Sequence, residues 1–492
     1  MALSLEGPLD PGRLREALAD SLAAANQSGQ ARVLAVSAPL GGCDPLAAFA
    51  GFGEQERFFW EQAAQGSALA ARGAVLEVEP DPGADAGEAI AAVGARIEAL
   101  GARIDAAGAP TPLFVGGFSF NGRAPGPGEW EAFPAGRMVL PELLVRRGAG
   151  ETRATLCTRV GAGDDLDRLF EALASKLRAL EQLVDATVAP AEFSVDPPGP
   201  PSEGGAEYRV VADRSHAAFC SQVESALEAI RAGDLEKVVL ARSLEVFHPG
   251  RFGVASFLHE LRDLYPHCTV LARGRGRDLL VAASPELLVS LRDETVEACA
   301  LAGSTARGRS PEEDARLAAA LRESKKEQAE HEIVARSIRS HLSEWVDDLE
   351  GPEAPELMRL LGIQHLATPF RGRLRASQRD IGVLDLVARL HPSPAVGGLP
   401  RAEAEAWIEA SEGMERGWYA GPMGWVDPRG DGEFWLALRS ALIRNAPAGR
   451  VPAISSAKLF AGSGIVDGSL PEAELAETRI KLRALLAPLT EI

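Results

Sequence analysis

Apolar residues recur along this chain in two rhythms. In Arg32-Val-Leu-Ala-Val-Ser, Pro112-Leu-Phe-Val-Gly-Gly-Phe-Ser-Phe and Arg153-Ala-Thr-Leu-Cys-Thr-Arg-Val they run almost unbroken or alternate, which predicts strands. Between these runs, residues 87–106 and 165–184 space them three and four apart, which predicts amphipathic helices. A helical pattern over 216–233 stops at Gly233-Asp234, and the run from Leu235 to Phe247 follows as a strand with Lys237, Val239 and Ala241 on one face. The longest helical pattern opens at Ser310-Pro311-Glu312-Glu313, an N-cap residue, a proline at the first helical position and a capping-box glutamate, and its spacing continues to about Trp345. Ser469-Leu470-Pro471-Glu472 repeats that opening near the C-terminus. Strands and helices alternate, so an α/β protein is expected. The stretch 187–207, rich in Pro, Gly and acid, reads as an exposed connector between an N-terminal α/β part, 1–186, and a C-terminal part, 208–492.

The helical spacing brings carboxylates into unusual places. From Glu330 onward, Val334, Ile338, Leu342 and Trp345 recur every three or four residues, so Glu330 stands on a stripe that should face the core, and Glu327 shares that face one turn earlier. Two inward carboxylates are costly unless a cation or a proton meets them, and a hard divalent metal is a natural partner. In the C-terminal helix Glu474 and Glu477 repeat the spacing on the border of the stripe Leu475, Leu482 and Leu485, so two Glu-x-x-Glu helices could clasp one ion. In a chain with 70 acidic residues, such a pair is also what a solvated helix face looks like.

Two further residues stand in apolar surroundings. Lys237 shares its strand face with small apolar side chains, where lost hydration would lower its pKa toward that of a base; the plainer reading is a strand-end lysine reaching solvent. Glu286, in Val281-Ala-Ala-Ser-Pro-Glu-Leu-Leu-Val, would tend to stay protonated and could serve as an acid, or it is a turn glutamate after Pro285. The glycine clusters Leu301-Ala-Gly-Ser-Thr-Ala-Arg-Gly and Phe460-Ala-Gly-Ser-Gly-Ile-Val-Asp-Gly-Ser offer backbone N–H groups for an anion or are plain turns, and neither fits a P-loop or dinucleotide fingerprint.

Composition narrows the partners. The chain has 492 residues, 46% hydrophobic and 25% charged, as in ordinary globular proteins with room for large cores. A net charge of -19 argues against nucleic acid or an anionic membrane surface as partner, and an anionic substrate would need local positive charge. No apolar run approaches the roughly 18 residues of a membrane span. The opening Met1-Ala-Leu-Ser-Leu-Glu-Gly lacks the features of a signal peptide, so a cytoplasmic protein is expected. The five cysteines, Cys43, Cys157, Cys220, Cys268 and Cys299, are scattered without metal-ligand spacing and suit a reducing compartment as buried small residues.

A set of segments carries a resemblance. Lys237-Val-Val-Leu-Ala-Arg, Ser284-Pro-Glu-Leu-Leu, Ala302-Gly-Ser-Thr, Lys325 to His331, His391-Pro-Ser-Pro-Ala-Val-Gly-Gly, Gly417-Trp-Tyr-Ala-Gly-Pro-Met-Gly-Trp, Leu438-Arg-Ser-Ala and Ala461-Gly-Ser-Gly-Ile-Val to Glu477-Thr resemble, in order and spacing, the chorismate-utilising enzymes along roughly residues 210 to 488. The resemblance implies a large α/β (α+β) unit of two packed, mainly antiparallel sheets flanked by helices, which the N-terminal half completes. It implies Lys237 as the base that activates water and Glu286 as the acid that protonates a departing hydroxyl. Glu330 and Glu477 match Mg²⁺ ligands, with Glu327 and Glu474 placed for metal-bound waters. Ser304, Thr305, Tyr419, Arg439, Gly462, Gly464 and Lys481 match positions around the substrate carboxylates, and His365 matches a histidine near the ring. Chorismate is a dianion, so Arg439, Lys481 and Mg²⁺ would supply what an acidic protein needs to bind it.

The segment from His391 to Gly398 separates branches of that family. Ammonia-using members resemble one another in a Ser-Gly-Ala-Pro-Lys type sequence here and salicylate-forming members in Ser-Gly-Ile-Pro-Lys, whereas this chain has Pro-Ala-Val with Ala395 where those relatives carry threonine or another residue. That pattern is similar to the isochorismate-forming branch, and Asp44-Pro-Leu-Ala-Ala-Phe with Glu56-Arg-Phe-Phe-Trp looks like its menaquinone-pathway version. The reaction so implied is water attack at C2 of chorismate with loss of the C4 hydroxyl. Competing readings are a siderophore-pathway enzyme of the same activity, salicylate or anthranilate formation, and, outside enzymes, a metal-binding scaffold.

Overall fold

Pairing between strands far apart in sequence organises the molecule. The computed structural model describes residues 10–107, 110–126, 128–148, 150–188, 208–447 and 454–490. Among these, 11 α-helices surround two sheets of 13 and 10 strands, and every pairing is antiparallel except that of Arg32–Pro39 with Ile104–Ala107. The two packed, mainly antiparallel sheets are those expected from the sequence. In the larger sheet Arg57–Gln62 pairs with Thr269–Arg275, and in the smaller one Phe114–Phe118 pairs with Pro422–Val426, so both sheets take strands from either side of 187–207. From residue 189 that connector lies outside the described residues.

Side-chain alternation sorts the larger sheet into two cores. Phe58 and Trp60 face the second sheet, joining Phe114, Val115 and Phe434, while Phe59 between them faces outward. The outer face is covered by helices Pro11–Ser28, Leu166–Val188, Val254–Leu264 and Pro471–Thr490, which contribute Leu14, Leu173, Leu258 and Leu485 to the second core. Among the described residues, no helix is long and apolar enough to cross a membrane.

Strands Arg32–Pro39 and Glu151–Val160 and helices Leu166–Val188 and His216–Ala232 lie where the patterning places them, whereas the helix expected over 87–106 ends at Gly101 and Ile104–Ala107 is a strand beside Arg32–Pro39. The helix expected to run unbroken from Ser310 to Trp345 is instead two, Pro311–Glu323 and Lys325–Leu342. Ser324 sits between them in extended conformation, and its side chain accepts a hydrogen bond from the Glu327 N–H, so the break is also the cap of the helix that carries Glu327 and Glu330.

Candidate active site

Lys237 opens the strand Lys237–Pro249, whose residues 238 to 249 pair with Ile454–Ile465. It is 1% exposed, so the solvent-reaching alternative does not hold. Nor is it left against apolar groups alone: its Nζ lies 3.1 Å from Glu330 Oε1. Gly464 on the neighbouring strand makes room for this pair, since a Cβ there would lie 2.1 Å from Glu330 Oε1 and 2.8 Å from Lys237 Cε. Both glycine clusters begin in strands rather than in turns. Gly303 forms a bulge in Thr295–Ala306 at φ 77°, a conformation open to glycine, and the bulge directs the Ser304 N–H to Glu327 Oε2 at 3.0 Å.

The two acidic helices meet as their spacing suggested. Glu330 and Glu474 are buried, and Val334, Ile338 and Leu342 hold the rest of the Glu330 stripe in the core. Sequence reasoning did not single out Lys326, whose Nζ lies 3.0 Å from Glu474 Oε1, 3.2 Å from Glu327 Oε1 and 3.3 Å from Glu330 Oε2. The signal was present, because Lys326 and Glu330 are an i, i+4 pair. Glu477 pairs instead with Lys481 at 2.7 Å. Burial alone would raise Glu330, but Lys237 and Lys326 outweigh it and hold its carboxyl below the usual range. Burial, then Glu330 and Glu477 working against Lys326, push Glu327 up to about 7. Burial also raises Glu474, with Lys326 pulling the other way and Glu477 adding to the rise. Among the described residues no group of three or more His, Cys, Asp or Glu is arranged to hold a metal ion; the Lys326 ammonium lies between these carboxylates.

Beside this ionic cluster opens a cavity, about 710 Å³ of empty space with its solvent-open mouth included. Glu330, Glu477 and Lys481 line its charged side, and Gly462, Gly464 and Phe460 line a second side from the strand Ile454–Ile465. Glu286, Ser304, His365, Ala395, Tyr419 and Arg439 complete the wall. Glu286 follows the strand Asp278–Ser284 and is 4% exposed; burial pushes its carboxyl up to about 8 even though Lys237 and Lys481 pull it down. Arg439 holds φ 47° in the left-handed region, a conformation tolerated only where the surroundings impose it. Its Nη2 lies 2.8 Å from His365 Nε2, and His365 Nδ1 lies 2.8 Å from Ser304 Oγ. The buried Arg439 Nη1 has no protein hydrogen-bond partner. Tyr419 stacks on Phe460 with ring centroids 5.0 Å apart, which places its hydroxyl over Gly462.

The sequence-derived residues thus fall into two groups. The cavity wall includes Glu286, Ser304, His365, Ala395, Tyr419, Arg439, Gly462, Gly464, Lys481, Glu330 and Glu477, while Lys237, Glu327 and Glu474 stand behind it, tied through Glu330 and Lys326. Thr305 is not part of the wall; it pairs with Gln364, one residue beyond Ser304 on a strand where neighbours point to opposite faces. Val239, Leu301, Ala302 and Leu438 add an apolar lining, a role that motif reading did not give them.

Comparison with known proteins gives the family. A family model described as chorismate binding enzyme matches residues 20–490. The salicylate biosynthesis isochorismate synthase of Pseudomonas aeruginosa is 38% identical over 382 residues, 77% of this chain and 75% of that protein. The isochorismate synthase MenF of Bacillus subtilis is 34% identical over 378 residues, 77% of this chain and 74% of that protein. In fold, the menaquinone-specific isochorismate synthase MenF of Escherichia coli superposes with a TM-score of 0.69 at 24% identity, covering 96% of this chain and 99% of that one.

Proposed function

Because this chain belongs to the chorismate-binding enzymes, we propose that it is an isochorismate synthase, which isomerises chorismate by adding water at C2 and losing the C4 hydroxyl. One observation carries the reading: Glu286, a buried carboxyl held protonated to about pH 8, lines a cavity furnished with the cations Arg439 and Lys481, and the buried Lys237 stands directly behind Glu330 of its wall. Lys237 takes a proton from water as its oxygen bonds to C2. The ring double bonds shift, the C4–O bond breaks, and Glu286 gives its proton to the departing hydroxyl, which leaves as water. One water is consumed and one released, and a return of the proton from Lys237 to Glu286 resets the site. Acid and base catalysis contribute roughly 10²–10⁴-fold each. Arg439 and Lys481 meet the substrate carboxylates, and the apolar lining excludes bulk water around the ring.

The donor set suits Mg²⁺: two helices bring four hard carboxylates together, with Glu327, Glu330 and Glu474 around the Lys326 ammonium and Glu477 beside Lys481. Glu330 and Glu477 would hold the ion directly, with Glu327 and Glu474 on its waters. When bound, it supplies positive charge for the C1 carboxylate and draws electron density as the bonds move.

The small apolar Ala395 offers no hydroxyl to hold ammonia or to retain isochorismate for loss of pyruvate. Chromatography of the products from chorismate, with and without Mg²⁺, tests all of this. Isochorismate is expected only with Mg²⁺; salicylate with equal pyruvate, or anthranilate when ammonium is supplied, would overturn the product assignment. We assign the product to menaquinone formation on the likeness of Asp44-Pro-Leu-Ala-Ala-Phe and Glu56-Arg-Phe-Phe-Trp to the menaquinone-pathway version. The Pseudomonas aeruginosa relative, named for salicylate biosynthesis, favours a second destination for the same compound. Restoration of menaquinone in a strain lacking its own isochorismate synthase decides between them.

A further inference from the structure

The hydrogen-bond chain from Arg439 through His365 to Ser304 has a fixed direction. A guanidinium can only donate, so at 2.8 Å from Arg439 Nη2 the His365 Nε2 must accept. Burial, then the positive Arg439 and Lys481, hold the His365 pKa well below its ordinary value, so the ring is neutral and carries one proton. With Nε2 accepting, that proton is on Nδ1, 2.8 Å from Ser304 Oγ, and the imidazole donates to the serine. The hydroxyl hydrogen of Ser304 is thereby released from His365, and Ser304 lines the cavity. The Gly303 bulge fixes the backbone on which it stands, with the Ser304 N–H held by Glu327.

We propose that His365 is a positioning residue for the reaction proposed above: locked as the Nδ1–H tautomer by Arg439, it leaves the Ser304 hydroxyl hydrogen free to donate into the cavity. The Ser304 Oγ–H then meets an oxygen with lone pairs, a carboxylate or ether oxygen of the substrate. The role rests on the isochorismate synthase reading only for the identity of the substrate; the tautomer is a property of the free protein.

Two measurements test it. Nitrogen NMR of the imidazole-labelled protein should show His365, assigned by its loss in His365→Asn, as the neutral Nδ1–H form between about pH 5 and 8. In kinetics, Ser304→Ala should raise KM for chorismate about tenfold with a smaller change in kcat, and Ser304→Thr should restore it. His365→Ala should cost a similar factor, His365→Asn, whose amide can donate in place of Nδ1–H, should recover most of it, and Ser304→Ala with His365→Ala should be no worse than the poorer single variant. An Nε2–H tautomer, a His365 titration within that range, or additive losses in the double variant would each overturn the proposal. A correct tautomer with no isochorismate formed would instead refute the assigned reaction and the substrate role built on it.

Discussion

Glu330 Oε1 lies 3.1 Å from Lys237 Nζ, with both side chains buried, so the acidic helix and the lysine strand meet in a direct ion pair. The two partners are not equally replaceable. Glu330 keeps Lys326 when Lys237 is removed, whereas Lys237 has no other ion-pair partner among the described residues. Truncating one partner of a buried pair costs roughly 3–5 kcal/mol when it strands the other. Urea denaturation should therefore show Glu330→Ala losing about that much and Lys237→Ala clearly less. Turnover of Lys237→Ala should fall by roughly 10²–10⁴-fold with chorismate binding retained. A variant that keeps more than about a tenth of kcat would send the search to another base.

Gly464→Ala tests the same pair from the other side. The added methyl would meet the ends of two flexible side chains, Glu330 Oε1 at 2.1 Å and Lys237 Cε at 2.8 Å, rather than backbone. The fold should survive with a melting temperature close to wild type while activity is lost. Unchanged activity would mean that the pair need not hold this geometry.

Glu286 gives a pH signature in both stability and rate, and replacing it moves the two in opposite directions. Its folded pKa is raised by burial to about 8, from an ordinary value of 4.5. A raised carboxyl stabilises the folded state fully below the unfolded pKa, and that contribution is lost as pH climbs from about 4.5 to about 8. Glu286→Gln should flatten this part of the stability profile and be the more stable protein above pH 8, measured by denaturation at several pH values. Its turnover should fall by roughly 10²-fold or more. The wild-type kcat/KM should decline above about pH 8 as the proton is lost. A wild-type rate still rising past pH 9 would remove Glu286 as the acid.

Lys326 makes the carboxylate cluster tolerable without an added cation, and its removal should expose the demand. In Lys326→Met the buried carboxylates lose their shared ammonium, so the variant should melt lower than wild type in chelator. It should gain more from added Mg²⁺, with tighter binding by calorimetry. Identical Mg²⁺ responses in the two proteins would count against a metal at this cluster.

The helix that bears the acidic pair was readable because its stripe continues cleanly through Val334, Ile338 and Leu342. Its true start was also written in the chain: Ser324-Lys-Lys-Glu327 is a capping-box pattern, masked by apolar spacing that runs straight through Ser324. Thr305 could have been separated from Ser304 by strand alternation alone. The burial of Glu286 was legible from its apolar neighbours, but the Arg439–His365–Ser304 chain was not. It joins residues 61 and 74 positions apart, whose meeting depends on sheet register. The same holds for Arg57–Gln62 against Thr269–Arg275, a pairing for which local pattern carries no information.

The strand Ile454–Ile465 carries Gly462 and Gly464 and pairs along its length with the strand that Lys237 begins. During translation it leaves the ribosome roughly two hundred residues after its partner. Until then the lysine strand lacks that neighbour and offers unpaired N–H and C=O groups to any other strand in reach. A prematurely terminated chain is therefore no weak enzyme. It lacks one side of its own site and presents an aggregation-prone edge, so the cell's demand on chaperones falls on the interval before this strand arrives.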